Sequence, residues 1–187
     1  MDRKKFIQTS GILFAGSIIT KSAVGKVNFS HKIENGEKTY PPADFPLIDL
    51  HVHRSKQQSI DDLVAKSKKT GIKFGVMENV APWGIRDNEQ LKTYIDTIKP
   101  YPVYIGLQPM STGWSKNLSP ELIAQADYVS MDPQVVPDGN GYGETINVWE
   151  YASYIDDPEA FMQRNMQYYM TILTGDEPLN IFACPLF

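Results

Sequence analysis

Two of the three histidines in this 187-residue chain stand one residue apart, at His51 and His53. They close the run Pro46-Leu47-Ile48-Asp49-Leu50-His51-Val52-His53. A run of this apolar character reads as a β-strand, and strand side chains alternate between two faces. The alternation predicts Asp49, His51 and His53 on one face and Ile48, Leu50 and Val52 on the other. Two imidazoles about 6–7 Å apart along a strand converge on one metal ion. Neutral imidazole is a common ligand for Zn, Mn and Fe(II). Asp49 is the expected partner that orients an imidazole, as outer carboxylates do in metal sites.

The elements that must position these residues follow a strand–helix rhythm. Ser59 caps a helix that Gly71 stops, with Ile60, Leu63 and Val64 on one face. Ile72–Met77 is a second strand, ending at Glu78-Asn79. A second helix carries Leu91, Tyr94, Ile95 and Ile98. Val103–Leu107 is a third strand, ending at Gln108. A short helix opens at Ser119-Pro120, and Tyr128–Met131 is a fourth strand, ending at Asp132. A further helix starts at Asp157-Pro158, with Met162, Met166, Tyr169 and Leu173 expected as its core stripe. Leu179–Ala183 is a fifth strand, ending at Cys184-Pro185.

Strands alternating with helices predict an α/β fold, a parallel TIM-like (β/α) barrel of about five units. A complete barrel has eight units, so the expectation is an incomplete one. In such barrels the chemistry lies at the carboxyl ends of the strands. Those ends here carry His51, His53, Glu78, Asn79, Gln108, Asp132 and Cys184. His51, His53, Glu78, Asp132 and Cys184 are the candidate metal ligands. Glu78 and Asp132 are also the candidate general bases. Asn79 and Gln108 are expected to hold substrate, and Trp83 and Trp114 to stack on it from the same mouth.

The opening motif resembles the first motif of the PHP (polymerase and histidinol phosphatase) domain. The resemblance runs from about Pro46 to Leu186. It implies a distorted TIM-like barrel that binds divalent metal and hydrolyses phosphoesters with a metal-activated water. Four strand ends depart from the family pattern. Glu78-Asn79 stands for Asp-His, Gln108 for Glu, Asp132 for His, and Cys184-Pro185 for His-Pro. The amidohydrolases share a His-x-His strand, which keeps C–N bond hydrolysis as an alternative. The altered ends also allow a degenerate relative that binds a small polar ligand such as a sugar without turnover.

The rest of the chain bounds these readings. Residues 1–25 have the order of an export signal: basic Arg3-Lys4-Lys5, an apolar run from Gly11 to Ile19, and small residues at Ala23-Val24-Gly25. Asp2–Gln8 resembles the twin-arginine motif, with Lys4 in place of the second arginine. The protein is thus expected to be exported, to the periplasm or cell envelope. The apolar run is too short for a membrane span. Residues 26–44 read as a polar linker, and 45–187 as the barrel domain. A net charge of −4 gives no general attraction to nucleic acid, leaving a small molecule as the expected partner. No dinucleotide or P-loop motif occurs. Asp138–Gly143 starts like an EF-hand loop, but Trp149 occupies the place of the essential Glu, so a Gly-rich turn is the plainer reading. Trp149, Tyr151 and Tyr154 lie in the same long segment.

Overall fold

The computed structural model describes residues 32–34, 37–39, 45–137, 145–148 and 157–183. The chain divides into two compact units, at Phe45 and Pro46. In the first unit, β1 (Lys32–Glu34) and β2 (Glu37–Thr39) pair antiparallel. A short hairpin therefore stands within the stretch expected to be only a linker. The export-signal segment 1–25 lies outside the described residues.

The second unit is built on five parallel strands in sequential order: β3 (Ile48–His53), β4 (Lys73–Val80), β5 (Tyr104–Pro109), β6 (Tyr128–Met131) and β9 (Ile181–Phe182). Sequential parallel order with a helix in each crossover is the pattern of a βα barrel, and the sheet curls as half of one. Between β6 and β9, β7 (Val135–Pro137) and β8 (Thr145–Asn147) form a separate antiparallel pair. They bracket the Gly-rich residues 138–144, which lie outside the described residues, as do Trp149, Tyr151, Tyr154 and Cys184.

The helices begin where side chains can satisfy their free amides. Ser59 and Asp62 form a reciprocal capping box on α1 (Ile60–Thr70), and Gly71 ends it with φ +74°. Asp87 accepts from Gln90 N to cap α2 (Asn88–Ile98). α3 (Pro120–Ile123) is a single turn, and Asp157 caps α4 (Pro158–Thr174). One face of the sheet carries Phe74, Val76 and Leu107, fully buried with Leu63 of α1 and Leu91, Ile95 and Ile98 of α2. Tyr94 of α2 donates to the Val76 carbonyl at 2.7 Å, which ties helix to sheet.

The helix α4 turns differently from the expectation. Phe161, Asn165, Tyr168, Tyr169 and Ile172 are its buried residues. Met162, Met166 and Met170 are 42%, 51% and 46% exposed, so the methionine stripe is not core. The aromatic rings bury more apolar area per residue and take the inner side. Tyr169 stacks edge-on against Phe182 of β9 at 5.2 Å.

The concave face of the sheet is closed at its lower end by one residue. Tyr128 of β6 reaches across β5 and β4 and donates to the Leu50 carbonyl of β3 at 2.6 Å. Its ring lies over Gly75 and Gly106, and a Cβ at either position would overlap it. The missing side chains are what let the phenol cross, as close approach requires. Among the described residues no helix is long and apolar enough to cross a membrane.

Candidate active site

The site lies one layer above Tyr128, at the carboxyl ends of the same strands. Its geometry begins with an irregularity in β3. Asp49 pairs with Phe74, but Val52 pairs with Val76, so β3 spends one residue more than β4 over this stretch. That extra residue is a β-bulge, and it changes which face the following side chains occupy. His53 stands beside Met77 on the concave side, while Asp49 stands beside Phe74 on the other. Asp49 is therefore not on the imidazole face. Its Oδ1 accepts from the His51 backbone amide at 3.2 Å, so it does not orient a ring.

His51 and His53 keep their expected association. Their ring centroids are 5.7 Å apart, at an interplanar angle of 61°. Between them and β6 lies Gln108, which is 3% exposed. Gln108 Nε2 is 3.2 Å from His51 Nε2 and donates to Asp132 Oδ2 at 2.9 Å. Asp132 is also 3% exposed, and its Oδ2 takes a second hydrogen bond, from Gln134 Nε2 at 3.0 Å. Burial holds the Asp132 carboxyl above the usual carboxylate range, against the pull of Gln134, His51, Gln108 and His53. Two oxygens in the cluster are buried and have no partner: Gln108 Oε1 and Asp132 Oδ1.

The structure thus joins His51, His53, Gln108 and Asp132 and adds Gln134. Gln134 was not legible in advance, since it lies beyond the last residue of β6 in a stretch without periodicity. Its one signal is its place two residues after a strand-end acid.

Glu78, expected as ligand and base, is not in the cluster. Register pairs it with Leu107, on the face of Phe74 and Val76, and its carboxylate meets Arg54 at 3.4 Å. Asn79 is the neighbour that shares a pairing position with Gln108. Trp114, expected at the mouth to stack on substrate, is 3% exposed in the core. It sits in a 3₁₀ turn (Trp114–Asn117) whose loop Glu177 gathers by accepting from Gly113 N and Ser115 N. Trp83 is 43% exposed on the loop after β4.

Among the described residues, no three His, Cys, Asp or Glu side chains stand as a metal-binding group. The physical reason is visible: the third member between the imidazole and the carboxylate is an amide. The cluster nonetheless holds nitrogen and oxygen atoms of the types that ligate divalent ions. It offers two imidazoles and two buried oxygens that nothing else satisfies, and an unsatisfied buried acceptor costs about 1–3 kcal/mol. No family model, curated protein or solved structure matches the chain.

Proposed function

We propose that the concave-face cluster is the active site of a metal-dependent hydrolase that cleaves phosphoesters of a small polar substrate. The observation that carries this reading is the pair of buried, unpartnered oxygens, Gln108 Oε1 and Asp132 Oδ1, beside two adjacent imidazoles. His51, His53 and Asp132 would hold a Zn, Mn or Fe ion, with Gln108 Oε1 available as a further oxygen. Once bound, the ion supplies Lewis acidity and lowers the pKa of a coordinated water. Asp132 has one free oxygen, Oδ1, and would serve with it either as a ligand to the ion or, with the ion on the imidazoles, as the general base. Asn79 and Trp83 flank the strand ends and would contact the substrate. The PHP-like opening strand supports the phosphoester class, and the basic start and apolar run of the N-terminal sequence support export to the cell envelope.

One observation favours a second reading. Gln108 already bridges the carboxylate and the imidazole. A site assembled without a cation could instead offer its free oxygens to the hydroxyls of a sugar. Metal content and phosphomonoester hydrolysis, measured on the full chain and on its His51→Ala/His53→Ala variant, separate the two. The hydrolase reading expects about one equivalent of transition metal and turnover in the parent, both lost in the variant. Folded parent protein without metal, or turnover that survives the double substitution, overturns it.

A further inference from the structure

The Gln108 amide sits at a point where its orientation decides the chemistry of a neighbour 57 residues away in sequence. A primary amide nitrogen carries two hydrogens and accepts none. One hydrogen goes to Asp132 Oδ2 at 2.9 Å. The other faces His51 Nε2 at 3.2 Å, and the contact is a hydrogen bond only where that nitrogen is the acceptor. Turning the amide over would set Gln108 Oε1 against Asp132 Oδ2, two acceptors in contact. Gln134 Nε2 holds the same Asp132 oxygen at 3.0 Å, so the carboxylate does not rotate away freely.

We propose that Gln108 is a positioning residue that relays the charge of Asp132 to His51, fixing the ring proton on Nδ1 and holding the Nε2 lone pair turned into the cluster. In a neutral imidazole one nitrogen donates and the other accepts, and the partner of one sets the state of both. Asp132 orients the amide, and the amide chooses the tautomer. The same arrangement divides the labour of the carboxylate: Oδ2 is occupied twice, so Oδ1 is the atom Asp132 offers. Asp132 Oδ1 is then the atom presented to an incoming ion or ligand, and the single lone pair of His51 Nε2 becomes available only when Gln108 gives up its hydrogen bond. The relay deepens the hydrolase reading but operates in the metal-free protein, so the two stand or fall separately.

The test is long-range proton–nitrogen NMR on the full chain, stripped of metal by chelator, about two pH units above the ordinary imidazole value. Three histidines make assignment by single substitution direct. The parent is expected to show His51 protonated on Nδ1 and bare on Nε2. In Gln108→Glu an acceptor replaces the donor, and the His51 proton is expected to move to Nε2. In Asp132→Asn the amide is free to turn, and a mixture of tautomers is expected. A parent whose His51 carries its proton on Nε2 overturns the proposal, as does a folded Gln108→Glu variant that leaves the tautomer unchanged. If Gln108→Glu does not fold, the parent spectrum and Asp132→Asn still decide. Zinc titration of the parent reports on the hydrolase reading alone and leaves the tautomer result untouched.

Discussion

The concave face of the sheet has two layers built from the same strands, and they follow opposite rules. In the lower layer Tyr128 crosses two glycines and ends on the Leu50 carbonyl, with its hydroxyl satisfied. In the upper layer Gln108 and Asp132 are as deeply buried, yet each keeps an oxygen with no partner. The sheet thus invests its packing below and leaves unsatisfied polarity above. The contrast sets satisfied packing and unsatisfied polarity within one layer spacing of each other.

The largest effect that could break this comparison is expected at Gly106. A Cβ there meets both the Tyr128 ring and Met77. Gly106→Ala should cost about 3 kcal/mol, as overpacking does, or roughly 6–12 °C in Tm for a chain of this size. Urea unfolding measures it, and an unchanged midpoint would mean the lower layer is not tightly filled. Tyr128→Phe should cost less, about 1.5 kcal/mol, for one lost hydrogen bond to a carbonyl.

The upper layer should respond with the opposite sign. Asp132→Asn removes a buried charge and is expected to raise stability by roughly 1 kcal/mol, the scale of one unsatisfied acceptor, while abolishing ligand binding. This gain should depend on pH. The folded carboxyl has a raised pKa, so the native state binds more protons than the unfolded chain between the ordinary carboxylate value and the raised one. The parent therefore loses stability as pH rises through that window, and the advantage of Asp132→Asn grows across it and then levels off. Matched urea titrations from acid to neutral pH check this. A variant that is weaker than the parent at neutral pH would show that the upper layer is held together by its charge.

The units of the fold were legible because each carries local punctuation. Ser59 and Gly71 bound α1, and the apolar runs at Phe74–Met77, Ile105–Leu107 and Tyr128–Met131 fall on strands. Faces were harder. Glu78 and Asn79 are adjacent, so alternation sends only one of them to the concave side, and the choice depends on register with β5. Asp49 and His51 share a parity in sequence but not in space, because the β3 bulge is set by pairing with β4. On α4 the methionines and the aromatics both recur at helical spacing, and packing against Phe182 decided between them. That His51, His53 and Asp132 would gather was readable because all three stand at strand ends. The bridging role of Gln108 was not, since it depends on two partners from distant strands.

The hydrogen bond from Tyr128 to Leu50 spans 78 residues, and this gives the site an order of assembly. Among the described strands of this sheet, β3 comes first in the chain and stands at one end of the strand order. The contact that ties β3 across the concave face cannot form until β6 has been made and the intervening chain closed. Closure over so long a stretch is slow, because chain entropy is spent before the contact repays it. The concave face beneath His51 and His53 is thus completed only after β6 has joined the sheet.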